Sequence, residues 1–287
     1  MIDEARTQSD DSVHLTRLLR AMEAQNGEHF FASISKVLPY TDASLPYFLA
    51  RFQMGLFTPE LFERHGIDYP RHIQNSVVKR QAEFIAGRLC ARSILDMYGH
   101  SRHVVSVGSH REPQWPAGFV GSITHSGYYA AAIACPAKNI AGIGIDIETI
   151  INDDSRQAMI DLVAGAEEVR YLLGHPGSIG FDGLLTLVFS VKESFFKAAF
   201  PQVRAYFDFD AVRVVDIDAE LRTIRFRCEQ DLSEQLRSGQ TYLAHYDFIG
   251  DTSVFTAVLL TRAKVANVPS GTGAAQDPVN ADSLISG

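Results

Sequence analysis

The sequence alternates predicted helices with groups of short strand-like runs, and it does so twice. The spacing of apolar residues predicts long helices over residues 76–98 and 181–200, the second ending before Pro201, and a shorter helix over 161–173. The strand-like runs cover residues 121–124, 128–135, 141–148, 211–215, 223–228, 241–249 and 253–260. We expect the first three runs to form a meander. This order predicts an α+β fold rather than a doubly wound parallel sheet.

The length of 287 residues, with 46% hydrophobic residues, allows one large core or two modest ones. Both ends are polar or rich in small residues. We therefore expect a flexible N-terminal extension over residues 1–28 and a disordered tail over 264–287. Between them we expect an N-terminal half, 29–140, and a C-terminal half, 141–263, that carries a metal site.

Composition also narrows the classes of function. A net charge of −8 argues against a general nucleic-acid-binding protein. The three cysteines form no C-x-x-C pair, so buried thiols are expected rather than a zinc site or a disulfide framework. The first twelve residues lack the basic start and apolar core of a secretory signal, and no apolar run suits a transmembrane span. These features predict a cytoplasmic protein.

Two acids appear abruptly at the end of the apolar run 142–148. Asp146 and Glu148 are two residues apart, so on a strand they point to the same face. Carboxylates in small number suit Mg²⁺, which completes its coordination with water and phosphate oxygens. The alternative is that these acids mark the exit of the strand into solvent. A dinucleotide-binding loop does not fit, because Ile147 stands where its third glycine would be.

A second acidic position lies on the later long helix. Glu193 and Lys197 are one helical turn apart and are surrounded by apolar residues, so they either line a cleft or form a surface ion pair. His125 follows a predicted strand, where it either makes local hydrogen bonds in a turn or donates to a phosphate. Its surroundings do not match the G-x-S-x-G elbow of a serine nucleophile.

Five motifs together resemble the 4′-phosphopantetheinyl transferase superfamily, in particular the branch of enterobactin synthase component D, which carries F-S-x-K-E-S. The resemblance covers residues 76–260, with the motifs in the family's order. They are K-R-Q-A-E-F-I-A-G-R (79–88), R-E-P-Q-W-P (111–116), G-S-I-T-H-S (121–126), G-I-D-I-E (144–148) and F-S-V-K-E-S-F-F-K-A (189–198).

The resemblance implies a fold of two similar halves related by a pseudo-twofold axis, with coenzyme A bound in the cleft between them. It also implies a role for each matching residue. Mg²⁺ would be held by Asp146, Glu148 and Glu193. The groups expected to contact coenzyme A, mostly at its phosphates, are Arg80, Arg88, Arg111, Thr124, His125, Lys192 and Lys197. The catalytic residues would be Glu193, acting also as the general base, with Lys197 and Asp146.

The implied activity is transfer of 4′-phosphopantetheine from coenzyme A to a serine of an apo peptidyl, aryl or acyl carrier protein, releasing adenosine 3′,5′-bisphosphate. Carriers of siderophore, polyketide or fatty-acid synthases are the expected partners, with siderophore or non-ribosomal peptide synthesis favoured. We expect a monomer that docks the carrier on residues 165–183. The alternatives are a non-catalytic relative that binds coenzyme A or carriers, and another Mg²⁺-dependent phosphoryl transferase, although no P-loop is present.

Overall fold

The fold rests on two antiparallel sheets, each covered by one long helix. The computed structural model describes residues 30–37, 45–100 and 102–262. The strands are β1 (Phe31–Val37), β2 (Tyr47–Phe52), β3 (Ser106–Val107), β4 (Pro113–Gln114), β5 (Phe119–Ser126), β6 (Tyr129–Pro136), β7 (Ile140–Thr149), β8 (Val212–Asp218), β9 (Thr223–Cys228), β10 (Thr241–Ile249) and β11 (Ser253–Thr261). The α-helices are α1 (Glu60–Arg64), α2 (Arg71–Gln74), α3 (Val78–Met97), α4 (Asp153–Val163), α5 (Ala166–Leu173) and α6 (Phe181–Val203). Short 3-10 helices cover Met54–Leu56 and Phe209–Ala211.

The first sheet has the strand order β1-β2-β6-β5, and α3 packs across it. Small side chains let the helix approach closely, since the alanines on both elements, such as Ala82, Ala86, Ala130 and Ala132, are fully buried. Gly87 faces Ile123 at the same interface, where an added Cβ would lie 2.7 Å from the Ile123 side chain. The predicted helix over 76–98 is confirmed to within two residues at each end.

The second sheet has the order β7-β11-β10-β9-β8, and α6 packs on β7 and β11. Buried hydroxyls hold the helix to β11: Thr256 Oγ1 lies 2.8 Å from Ser190 Oγ and 2.7 Å from Ser194 Oγ. On β7, Gly144 leaves room for the helix backbone, because an added Cβ would overlap the carbonyl oxygen of Ser194. Uncharged residues therefore contribute to the position of α6 on β7 and β11.

The two sheets meet where β5 lies beside β7. Side-chain hydroxyls of β5, rather than backbone groups, form hydrogen bonds with β7 here. Ser122 Oγ accepts from the Ile145 amide and Thr124 Oγ1 accepts from the Ile147 amide, each at 3.1 Å. Ile143, Ile145 and Ile147 of β7 are buried between the sheets, in a core that also contains the stacked rings of Tyr47 and Phe255, with centroids 4.3 Å apart. One edge of each half is thereby fixed against the other.

The α+β prediction is confirmed, and the predicted strands over 223–228 and 241–249 are confirmed at both ends. The predicted meander is wrong, because β7 leaves β6 and pairs with β11. The predicted helix over 161–173 is two helices, which are separated at Ala164 and Gly165; the Glu168 carboxylate accepts from the Gly165 amide. The helix predicted to end before Pro201 continues to Val203, since a proline in the last turn removes only one hydrogen bond.

The predicted division into halves stays a prediction, although the strands of the first sheet fall within residues 31–136 and those of the second within 140–261. The predicted extension over 1–28 and the predicted tail over 264–287 lie outside the described residues. All three cysteines are buried and free, as expected. Among the residues placed by the structure, no helix combines the length and apolar character needed to cross a bilayer.

Candidate active site

Asp146 is the buried centre of an acidic site at the seam between the two sheets. Its Oδ1 accepts from Thr124 Oγ1 at 3.0 Å and from Lys197 Nζ at 2.7 Å. Its other oxygen, Oδ2, is also buried but has no hydrogen-bond partner among the described residues. Because a buried carboxylate oxygen is costly to leave unsatisfied, this oxygen is available to a ligand such as a cation.

The charge of Asp146 acts on the other two predicted metal ligands, Glu148 and Glu193. Glu148 accepts from Ser126 Oγ at 3.3 Å, and its pKa is raised to about 7, first by burial and then by the Asp146 charge. Burial also raises the pKa of Glu193 on α6; Lys197 opposes this shift and Asp146 adds to it. Burial and the Asp146 charge disfavour the charged forms of Glu148 and Glu193, so a positive ion bound beside these carboxylates would stabilise the site.

The residues present fit a magnesium ion without forming a complete cage. Within the described ranges, no three His, Cys, Asp or Glu side chains converge closely enough to hold a metal by themselves. Mg²⁺ needs only one or two carboxylates when water and substrate phosphates complete its octahedron. The unpartnered oxygen of Asp146 and the raised pKa of Glu148 suit that requirement. The assignment of Mg²⁺ to Asp146, Glu148 and Glu193 stays a prediction.

Lys197 connects α6 to the acidic strand. Its Nζ donates to Asp146 Oδ1 and to the Ile145 carbonyl at 3.2 Å, and its side chain is 27% exposed. The helical face that carries Glu193 and Lys197 is therefore turned towards β7. This arrangement favours the cleft interpretation of the Glu193–Lys197 pair over the surface ion pair.

A basic pocket of about 280 Å³ lies on the first half and is lined by Arg80, Arg88, Arg111 and His125, among others. Arg88 is buried, and burial together with the Arg80 charge lowers its pKa to about 10. Its Nε has no hydrogen-bond partner among the described residues, and its guanidinium lies 4.5 Å from the centre of the Phe84 ring. A buried cation with an unsatisfied donor is well suited to an incoming anion.

Arg111 enters this pocket from the tip of the β3–β4 hairpin. Its backbone adopts φ +67°, which is uncommon for a residue with a Cβ, and its amide donates to the Gly108 carbonyl at 3.0 Å. An arginine retained in the left-handed region at a pocket wall is consistent with a functional role for its side chain. Four of the predicted coenzyme-binding residues are thus brought together: Arg80, Arg88, Arg111 and His125.

Two predicted phosphate contacts have a different environment. Lys192 points away from the site: its buried Nζ donates to Glu168 Oε2 at 2.9 Å, to the Val163 carbonyl at 2.7 Å and to the Phe209 carbonyl at 3.2 Å. All three of its donors are used within the fold, so we correct its assignment to a structural ion pair. The buried hydroxyl of Thr124 already donates to Asp146, so its direct contact with phosphate is not favoured.

Sequence reasoning missed two side chains of the site. Ser126 holds Glu148, and Glu83 contacts His125 Nδ1 through Oε2 at 3.3 Å. Glu83 lies three residues after Arg80, and Ser126 lies one residue after His125, so both fall inside the motifs that carry the family resemblance. Their positions in the sequence were therefore visible, but the partners that give them a role lie on distant elements.

Comparison with known proteins identifies the family. The model described as "4′-phosphopantetheinyl transferase N-terminal domain" matches residues 68–135, and that of the "4′-phosphopantetheinyl transferase superfamily" matches residues 142–251. The basic pocket falls largely in the first match, and the acidic strand with Glu193 falls in the second. The chain belongs to the 4′-phosphopantetheinyl transferase superfamily, whose members place phosphopantetheine on carrier proteins. The predicted resemblance is confirmed.

Relatives agree with this assignment. Enterobactin synthase component D of Escherichia coli (strain K12) is 36% identical over 171 residues, which are 58% of this chain and 79% of that protein. The 4′-phosphopantetheinyl transferase Npt of Nocardia iowensis is 30% identical over 193 residues, 65% of this chain and 85% of the relative. The 4′-phosphopantetheinyl transferase Svp of Streptomyces mobaraensis is 36% identical over 158 residues, 54% of this chain and 62% of Svp.

Proposed function

We propose that this protein transfers 4′-phosphopantetheine from coenzyme A to a serine of an apo carrier protein, with Mg²⁺ as cofactor. One observation carries the proposal. Thr124 and His125 are consecutive on β5, so their side chains point to opposite sides. Thr124 bonds to the acidic site at Asp146, while His125 lines the basic pocket. A polyanion bound along this strand end would reach the arginines with one part and the carboxylates with another.

The basic residues account for binding and orientation. Arg80, Arg88 and Arg111 would hold the nucleotide end and 3′-phosphate of coenzyme A, since guanidinium groups match phosphate oxygens in geometry and charge. Lys197 would exchange part of its bond to Asp146 for a pyrophosphate oxygen. Arg88 in particular exchanges an unsatisfied buried donor for a charged acceptor.

Glu193 would accept the proton during transfer. The serine oxygen forms a bond to the β-phosphorus, the bond from that phosphorus to the bridging oxygen breaks, and adenosine 3′,5′-bisphosphate leaves with the electron pair. The serine proton passes to Glu193, whose pKa is raised by burial and therefore lies closer to neutrality than that of a free carboxylate. Mg²⁺, held by Asp146, Glu148 and Glu193, would supply charge neutralisation at the pyrophosphate.

The carrier is expected to belong to siderophore or non-ribosomal peptide synthesis, because relatives include enterobactin synthase component D. Carriers of polyketide or fatty-acid synthases are the other candidates. Residues 165–183 stay our proposed docking region, and Leu173 there is 70% exposed, which would give a carrier an apolar contact. The cytoplasmic location and the monomeric state stay predictions.

The proposal is tested by incubating the purified protein with coenzyme A, Mg²⁺ and a panel of apo carriers, and measuring the intact mass of each carrier. We expect a mass gain of one phosphopantetheine group on at least one carrier. Binding of coenzyme A without any mass gain would support a non-catalytic relative instead. Transfer to another acceptor, but never to a carrier serine, would support a different phosphoryl transferase.

Glu193→Gln tests the assignment of the base. We expect a fall in kcat of about 10²–10⁴-fold, the usual contribution of a positioned base, with coenzyme A binding largely retained. Glu220→Gln removes the same charge from an exposed turn and should keep the parent rate. If both variants transfer at the parent rate, Glu193 is neither the base nor an essential ligand.

A further inference from the structure

A buried acid lies in the otherwise basic pocket. The side chain of Glu83 on α3 is 8% exposed, and burial raises its pKa. Its Oε2 lies 3.3 Å from His125 Nδ1 and 3.9 Å from Arg80 Nη1, and its Oε1 lies 3.9 Å from Lys79 Nζ. A carboxylate beside a phosphate site weakens the attraction for the phosphate unless it does something else there.

The contacts of His125 indicate what that role is. Its Nε2 is bonded to the Arg80 guanidinium, which has donors only, so Nε2 must accept. A neutral ring then carries its proton on Nδ1, the nitrogen that lies 3.3 Å from Glu83 Oε2. The ring is neutral because burial, then Arg80 and Lys197, lower its pKa to about 3. The charged groups facing the ring are thus Lys79, Arg80 and Glu83 from α3 and Lys197 from α6.

We propose, resting on the proposed function, that Glu83 is a positioning residue that holds His125 by Nδ1–H and so directs Nε2 and Arg80 together at a phosphate group of coenzyme A. Glu83 does not touch the coenzyme itself. When the phosphate displaces Arg80 from Nε2, the ring takes a proton from solvent and donates it from Nε2. The Glu83 carboxylate stabilises the resulting imidazolium, as a carboxylate does for histidines that act as donors.

The opposite expectation follows from charge alone, which makes the proposal testable. If the only effect of Glu83 is that its negative charge reduces the positive potential of the basic pocket, Glu83→Gln should bind coenzyme A more tightly. If Glu83 positions His125, the same variant should raise the KM for coenzyme A about tenfold while kcat changes by less than about twofold, since a charge-assisted hydrogen bond is lost. Glu63→Gln, which removes an exposed acid from α1 in the same half, is the matched control and should leave KM unchanged.

A double-mutant cycle separates positioning from general structural support. In a His125→Gln background, Glu83→Gln should add less than about a threefold further rise in KM, because its effect passes through the ring. Additive losses, or tighter binding in the single variant, would overturn the proposal. If Glu83→Gln does not fold, Glu83→Asp retains the charge but withdraws the carboxylate by one methylene, and it should show the same rise in KM.

Nitrogen-15 NMR of the histidine rings tests the contact without any turnover. The free protein should show His125 as the Nδ1–H tautomer, because Arg80 can only donate to Nε2, and Glu83→Gln should change the Nδ1 chemical shift, since the group beside that nitrogen changes from a carboxylate to a neutral amide. With coenzyme A bound, both ring nitrogens should be protonated in the parent protein only. An unchanged Nδ1 chemical shift in Glu83→Gln would overturn the proposal even if carrier modification is observed, and a changed Nδ1 shift would support it even if transfer is not observed.

Discussion

Gly144→Ala should disable the enzyme without touching any charged residue. The α-carbon of Gly144 faces the backbone of α6, where an added Cβ would overlap the Ser194 carbonyl oxygen and lie 2.7 Å from the Ala198 amide nitrogen. Backbone atoms of a packed helix cannot rotate away as a flexible side chain can. The helix must therefore move outward from β7, and Glu193, the residue before Ser194, must move with it.

The expected size of the effect follows from this geometry. Overpacking of this kind costs about 1–3 kcal/mol of unfolding free energy. For a domain of this size, that corresponds to a fall in Tm of roughly 3–10 °C. A shift of about 1 Å between Glu193 and the carboxylates of β7 should cost on the order of 100-fold in kcat. The KM for coenzyme A should change little, because the basic pocket lies on the first half.

The assay combines carrier modification, followed by intact mass, with thermal unfolding of the same preparation. Gly55→Ala is the control, since a Cβ added there meets nothing within 4 Å. It should keep the parent kcat and Tm. If Gly144→Ala lowers the Tm but leaves kcat unchanged, the contact between β7 and α6 supports the fold but does not position Glu193. If neither quantity changes, the predicted overlap does not exist.

Three further predictions follow from single contacts. Lys192→Met should cost about 3–5 kcal/mol of unfolding free energy, because Glu168 is left buried and unpaired, while the KM for coenzyme A stays unchanged in steady-state assays. Folding lowers the pKa of His125 from 6.5 to about 3, so its contribution to stability is present above pH 6.5 and is lost as the pH falls towards 3. The free energy of unfolding, measured by denaturant titration, should therefore fall more steeply between these pH values in the parent protein than in His125→Gln. Leu173→Asp should raise the KM for the carrier but not for coenzyme A, and an unchanged carrier KM would move the docking region elsewhere.

Much of the fold could be predicted because local patterns and global packing agree. The long helix of the first half was located to within two residues, since its small and apolar side chains repeat on the face that packs on the sheet. The meander was a wrong inference because adjacency in sequence does not determine which strand edge is used. The partner of β7 is β11, which lies more than a hundred residues later, and no local pattern specifies that pairing.

The candidate site shows the same limit at the scale of single residues. The type and spacing of Asp146 and Glu148 indicated a metal site, because alternation on a strand is a local property. Lys192 was misassigned because it is one residue from Glu193, yet on a helix adjacent residues point about 100° apart. Its partner Glu168 lies on α5, so only the tertiary structure distinguishes a buried ion pair from a phosphate contact.

The uncharged hydroxyl side chains of β5 hold the acidic groups of this site in place. β5 presents Ser122, Thr124 and Ser126 on the side that faces β7, and these hydroxyls bond to the Ile145 amide, to the Ile147 amide and Asp146, and to Glu148. The same strand turns His125 to the other side, into the basic pocket. The distance between the groups that would bind the nucleotide and those that would act on the pyrophosphate is therefore set by one strand. A transferase built from two halves needs such a fixed connection, because a loose seam would separate binding from chemistry.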